Sequence, residues 1–357
     1  MTNPQEVAPG VWYLGLNVAN VYFIGTRESW VVVDTCAPLN EGPILAAAEE
    51  VFGKGAKPAA LFLTHAHFDH FGSAKGLLEH WGDVPVYGHR LDAPYLTGMD
   101  KTAPGDPTVG GFFAMAYRTF PKRQGTDLSK WFKTLPGSEL VPGVTGWRWF
   151  HTPGHTPGHV SLWRESDRTL IAGDAVITVN LDSLANVIDK KPTVSRPPTP
   201  ATPDWDSAIA SVRFLAGLRP RTLVTGHGLP MFGDAAADGL AQLAQTIKRP
   251  EHGRYVHEAP IADEGGINYV PPPATDVLGI ALGTIALGGL IAWVTHRQSA
   301  VKAISDTTVP VSSHTLRFER QDRADYQPAK VIETVVLVPK SEPPKTVHGV
   351  QLVPTNP

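Results

Sequence analysis

Seven consecutive residues, Thr64-His65-Ala66-His67-Phe68-Asp69-His70, hold three imidazoles and a carboxylate. The ligand-type side chains stand at i, i+2, i+4 and i+5, directly after the apolar run at 59–63. Neutral imidazole nitrogen and carboxylate oxygen are donors for zinc and its first-row neighbours, and such a site needs no cysteine. Any one of these histidines alone could be a hydrogen-bonded surface or core residue. Four such groups buried together without a partner would cost several kcal/mol, so the segment reads as a metal-binding loop at the end of a strand.

Three more positions could complete a site. In His151-Thr-Pro-Gly-His155-Thr-Pro-Gly-His159 the prolines and glycines fix a tight double turn with His155 at its centre, which makes His155 the best further ligand. His151 and His159, at strand ends, read as supporting or structural histidines. Asp174, in Ala-Gly-Asp after an apolar strand, could bridge two metals, although a lone acid at a strand end is usually a turn cap. His227, in Thr-Gly-His-Gly, is a weak signal alone. Every one of these residues finishes a strand, and that shared placement makes the set informative.

The elements that must position them come in two blocks. Runs at 11–16, 21–24 and 30–34 are rich in β-branched and aromatic residues and separated by turn residues, an alanine-rich helical pattern covers 43–52, and the strand at 61–63 leads into the histidine loop. A helix is expected at 73–81 and a short strand at 84–88. The second block has strands at 147–150, 159–163 and 169–174, a helix at 206–218, a strand at 222–225 and a helix at 234–248 with Asp234 as its N-cap. The repeated order implies an α/β protein of two pseudo-symmetric halves. Between them, 91–143 is rich in Gly, Pro and aromatics (Phe112, Phe113, Tyr117, Phe120, Trp131, Phe132), and reads either as a lid over a substrate pocket or as a satellite hydrophobic cluster.

Composition narrows the function. The 357 residues are 42% hydrophobic and 18% charged, with 33 prolines and 34 glycines, as in a globular protein with many loops. A net charge of −3 gives no basic field for a phosphate backbone, so nucleic acid is excluded as a partner and a small molecule is expected instead. The single cysteine, Cys36, rules out an intramolecular disulfide and reads as a small buried residue.

Residues 1–250 are expected to form the catalytic domain and 251–276 a linker. The nineteen residues 277–295 carry no charge and suit a transmembrane helix of about 30 Å, with Gly279 and Gly283 as a close-approach pair that leaves a homo-oligomer open. A core helix is the alternative. A tail, 296–357, follows. Arg297 and Lys302 beyond the apolar segment favour an external catalytic domain, but residues 1–10 lack a basic leader and an apolar core, so membrane association with a cytoplasmic catalytic domain is expected.

The T-H-x-H-x-D-H loop at 64–70, T-P-G-H at 152–155, G-D at 173–174, G-H at 226–227 and the strand ending in Asp34-Thr35 together resemble the metallo-β-lactamase-fold hydrolases, over about residues 8 to 248. The resemblance implies a four-layer αββα sandwich with its site at one edge between the halves, to which the C-terminal apolar helix and tail are additions. It implies one metal held by His65, His67 and His155, a second held by Asp69, His70 and His227, Asp174 bridging, and Asp34 supporting from behind. The cofactor expectation is two divalent ions, zinc by donor set. Two such ions about 3.5–4 Å apart can share a hydroxide and polarise a substrate oxygen, with Asp69 or Asp174 orienting the nucleophile and passing a proton. A fold does not fix a substrate. The aromatic segment favours a lactone, thioester or related acyl compound; a phosphodiesterase, a mononuclear iron sulfur-dioxygenase and a membrane-anchored interaction protein with a vestigial site are the alternatives.

Overall fold

A computed structural model describes residues 3–119, 126–189, 191–276 and 279. Seven strands form the first sheet in chain order: β1 (Gln5–Ala8), β2 (Val11–Gly15), β3 (Asn20–Gly25), β4 (Trp30–Val33), β5 (Ala60–Phe62), β6 (Val86–Gly88) and β7 (Phe132–Thr134). The second sheet holds β8 (Trp147–His151), β9 (Val160–Arg164), β10 (Thr169–Ile171), β11 (Thr222–Val224) and β12 (Met231–Phe232), in the order β12-β11-β10-β9-β8. Successive pairings run antiparallel, antiparallel, parallel through β2-β3-β4-β5 and again through β8-β9-β10-β11. The expected pseudo-symmetry is therefore present in the strand pairing itself.

Each parallel pair needs a crossover, and a helix supplies it. Helix α1 (Glu41–Phe52) joins β4 to β5 and buries Ile44, Ala47, Ala48 and Phe52, a single stripe at helical spacing. Three short helices follow, α2 (Phe68–Phe71), α3 (Ala74–Trp81) and α4 (Ala93–Leu96), with α5 (Phe112–Tyr117) and α6 (Leu184–Asp189) further on. Helix α7 (Trp205–Gly217) joins β10 to β11, and its N-cap Asp204 accepts a 3.0 Å hydrogen bond from the Ser207 amide. Helix α8 (Gly233–Thr246) starts directly from Phe232, so Asp234 lies in its first turn rather than at the cap.

The strand sequences explain the layering. Along β4, Trp30 and Val32 join the core under α1 and α3, while Val31 and Val33 face the space between the sheets. In β5 and the residue after it, Leu61 and Leu63 go outward and Ala60 and Phe62 inward. The second sheet alternates likewise, Leu162, Ile171 and Val224 inward and Trp163, Leu170 and Leu223 toward α7 and α8. Strands apolar on both faces fit only sheets covered on both sides. The outcome is the αββα sandwich, with three separate apolar layers.

Residues 251–276 hold a hairpin, β13 (Ile261–Asp263) with β14 (Gly266–Tyr269). This stretch packs on the segment bearing α4 and α5. The Ile267 amide donates to Asp100 Oδ2 (2.7 Å), Tyr255 Oη to the Pro104 carbonyl (2.6 Å), and Arg118 Nη2 pairs with Asp276 Oδ1 (2.6 Å). Among the described residues no helix is long and apolar enough to cross a membrane. The span expected at 277–295, apart from Gly279, and the tail at 296–357 lie outside the described residues.

Candidate metal centre

Strands β4 and β5 run parallel, as do β10 and β11, so the carboxyl ends of both pairs reach one edge of the sandwich. Asp34 follows β4, His65 and His67 follow β5, Asp174 follows β10 and His227 follows β11. His155 comes from the turn between β8 and β9. A single conformational change divides the histidine loop. The chain is extended to His67 (φ −94°, ψ 147°) and then turns into α2, so His65 and His67 come from extended backbone and Asp69 and His70 from the helix, with the His65 and His70 rings still 4.1 Å apart between centroids.

All seven expected residues come together. His65, His67 and His155 can offer one ligand atom each within 4.8 Å of one another, and so can Asp69, His70 and His227. His67 Nδ1 lies 2.8 Å from His155 Nε2. Asp174 stands between the groups, its Oδ2 3.4 Å from His155 Nε2 on one side and 3.5 and 3.1 Å from His70 Nε2 and His227 Nε2 on the other. Asp69 Oδ2 is 3.4 Å from His227 Nε2. Gly226 is required here, because a Cβ would collide with Asp174 Oδ1 and lie 2.6 Å from His70 Cε1.

Hydrogen bonding behind the rings sets their tautomers. Thr64 Oγ1 donates to Asp34 Oδ2 (2.7 Å), so toward His65 Nδ1, at 3.0 Å, it can only accept. Thr202 Oγ1 donates to the Pro198 carbonyl (2.8 Å) and accepts from His155 Nδ1 (3.1 Å) in the same way. His70 Nδ1 donates to Asp34 Oδ2 (2.8 Å) and His227 Nδ1 to the Val18 carbonyl (2.9 Å). In all four rings the proton sits on Nδ1, and Nε2 is presented to the cluster. His65 Nε2, His70 Nε2 and Asp174 Oδ1 are buried with no hydrogen-bond partner. Leaving such atoms unpaired costs about 1–3 kcal/mol each; cations held in the cluster would satisfy all three, so the residues present fit divalent metal.

Electrostatics separate the two groups. Burial first, then the neighbouring imidazoles, hold His65 and His67 well below the usual histidine range, and His155 is lowered, chiefly by burial. For His70 burial pulls down, but Asp174, Asp34 and Asp69 together outweigh it and the ring is raised well above its ordinary value. His227 is raised by Asp174 and Asp69 against the same penalty. Asp174 is driven well below the carboxylate range despite burial, by His227 and His70.

Positive φ at Asp34 (59°) turns its carboxylate back toward Thr64, whose amide donates to Oδ1 (2.8 Å); Asp is among the side chains that tolerate this region. The loop carrying His227 is held from the first sheet: Asn20 Nδ2 donates to the Thr225 and Gly228 carbonyls (2.9 and 2.8 Å), and Tyr22 Oη to Thr225 (2.6 Å). His159 accepts the Asp174 amide on Nε2 (2.9 Å) and donates its Nδ1 proton to Thr152 Oγ1 (2.9 Å), which makes it structural. His151 donates to the Pro157 carbonyl (2.8 Å) and stacks on His89 (4.2 Å between centroids).

The aromatic segment divides. Phe113 and Tyr117 on α5 line a small pocket with His67, Phe68, Asp69, His155, Asp174 and His227, whereas Trp131 and Phe132 pack on the core of the first sheet. Phe120 lies outside the described residues. Thr202, Asn20 and Asp92 escape a reading of the sequence. Asp92, four residues beyond β6, follows the same strand-end rule as Asp34 and Asp174 and could have been found by it.

The sequence matches the Metallo-beta-lactamase superfamily over residues 14–227. It is 43% identical over 246 residues to "Probable metallo-hydrolase YflN" of Bacillus subtilis (strain 168), covering 68% of this chain and 92% of that protein. With "Thioesterase pkgB" of Emericella nidulans it shares 25% identity over 246 residues, 69% of this chain and 54% of the relative. Among solved structures, that of TTHA1623 in a di-iron-bound form is similar at a TM-score of 0.41 and 26% identity, covering 66% of this chain and 96% of the other. The chain belongs to the metallo-beta-lactamase superfamily and is a metallo-hydrolase of that superfamily.

Proposed function

We propose that the protein hydrolyses an uncharged ester-like bond, in a lactone, thioester or related acyl compound, with two zinc ions held by His65, His67 and His155 and by Asp69, His70 and His227, and shared through Asp174. The observation that carries this reading is the position of Asp174 Oδ2, within 3.1–3.5 Å of imidazole nitrogens from both groups. A donor set of nitrogen and oxygen without cysteine suits zinc. Bound as a pair, such ions would supply Lewis acidity toward the substrate oxygen and a water that ionises near neutral pH.

The chain's own residues do the rest. Asp69 is 17% exposed where Asp174 is 2%, so Asp69 is the carboxylate of the pair that an incoming water and a departing group can reach. It is placed to take the water's proton and return it to the leaving group. Phe113 and Tyr117 wall the pocket above it and restrict solvent. A groove of about 550 Å³ opens at His227, lined among the described residues by Leu16, Val18, Val179, Leu181 and Leu229 together with neutral polar residues. An acyl chain suits such walls. The name of the thioesterase relative points the same way.

The test is a panel of lactone, thioester, β-lactam and phosphodiester substrates assayed with metal quantified. Turnover of a lactone or thioester by protein holding two zinc ions per chain is expected. Cleavage of phosphodiesters alone would overturn the substrate class; one iron per chain with thiol-dependent oxygen uptake would replace hydrolysis by dioxygenation.

A further inference from the structure

Asp92 is 1% exposed and stands at the N-cap of α4, yet its side chain makes no bond to that helix. An aspartate at this position ordinarily satisfies the first free amides of its own helix. Here the carboxylate is turned away, toward two distant loops. Oδ2 accepts from the Ala66 amide (2.9 Å) and from Thr156 Oγ1 (2.7 Å), and Oδ1 accepts from the Gly158 amide (2.7 Å). Ala66 lies between His65 and His67, and Thr156 follows His155. One carboxylate thus ties together the two segments that supply all three imidazoles of one group. Gly158 leaves room for it, since a Cβ there would stand 2.6 Å from the Asp92 nitrogen and 2.7 Å from Oδ1.

We propose that Asp92 is a positioning residue for the His65, His67 and His155 group: it sets the separation of the two loops, and so the metal affinity of that group alone, without touching the ion. The chemistry requires an anion. An amide in its place would turn a donor toward either the Gly158 amide or the Ala66 and Thr156 donors, whichever way it flipped. The second group has no bond to Asp92 and is held instead through Asp34 and the Val18 carbonyl. The inference rests on the two metal groups assigned above.

Metal-free full-length protein would be titrated with Co²⁺ against a competing chelator, following the cobalt absorption bands, in wild type, Asp92→Asn, Thr156→Val and, to identify the affected ion, His155→Ala. Wild type should bind two ions. Asp92→Asn should bind the ion that is lost in His155→Ala about 10–100-fold more weakly, the range for removing a partner that orients a ligand, and the other ion unchanged. Thr156→Val, which removes one of the three donors, should show a smaller loss at the same ion. If Asp92→Asn does not fold, Thr156→Val decides by the same criterion. Equal weakening of both ions would mean a general structural role and overturn the proposal, as would two wild-type affinities in the variants. A wild-type chain that takes up no Co²⁺ overturns the metal groups themselves, and this proposal with them.

Discussion

The two candidate metal groups share a seven-residue loop and the carboxylate of Asp174, but differ in what stands behind their imidazoles. Neutral hydroxyls, Thr64 and Thr202, back His65 and His155. Carboxylates surround the other group: Asp34 behind His70, and Asp69 and Asp174 beside His70 and His227. The first group is therefore a cradle of neutral rings, ready for a cation as folded. The second is acidic and, without metal, holds protons that an ion must displace. Two sites within one loop can thus differ in charge, affinity and pH response through their supports alone.

The largest effect should come from erasing what they share. Asp174→Ala is expected to lower kcat/KM on the order of 10³-fold, the scale of losing a preorganised charged group, with the circular dichroism of the folded protein retained. Near-wild-type activity in a folded variant would remove Asp174 from the site.

Smaller and more selective effects should separate the supports. Asp34→Asn weakens a charge-assisted bond to His70 and should cost about 10–100-fold in affinity for the ion at Asp69, His70 and His227, with a smaller loss at the other ion because Asp34 also anchors Thr64 behind His65. Thr202→Val removes one neutral bond of about 1 kcal/mol and should cost roughly fivefold at the other ion. Calorimetric metal titrations of both variants would show this; equal losses would erase the distinction between carboxylate and hydroxyl support.

The smallest signal is protonic. In metal-free protein followed by NMR, His70 and His227 should keep their second proton above pH 6.5, while His65 and His67 should stay neutral well below it. The signs for stability follow by linkage. The raised rings contribute stability below pH 6.5 that is lost as pH rises through their folded values. The lowered rings make the fold less stable as pH falls below 6.5, because the unfolded chain takes up protons that the folded one refuses. Histidines titrating in the reverse order would contradict the electrostatic contrast.

The layered fold and the candidate metal-site residues are legible in the amino-acid sequence for physical reasons. Strands such as Trp30-Val31-Val32-Val33 are apolar at every position, which only a doubly covered sheet accommodates, and Asp34, His65, Asp174 and His227 follow such strands. Supports joined across long separations leave no local pattern. Thr202 meets His155 across 47 residues, and Asp92 meets Gly158 across 66. Composition alone does not divide the aromatic segment, because Phe113 and Trp131 look alike in sequence and go to different places. The hairpin β13–β14 is short, and its residues Ile261 and Tyr269 are exposed rather than packed in the core, so no apolar alternation announces it.

The clamp of Asn20 on the loop of His227 spans 205 residues. On the ribosome, where chains grow from the N-terminus, the first group has its three imidazoles once residue 155 has emerged but gains the hydroxyl behind His155 only with Thr202. The acidic one waits for residue 227 and for β3 to receive its loop. A nascent chain of this protein would consequently have the supports of both groups in place only late in synthesis, when the second sheet can close on the first.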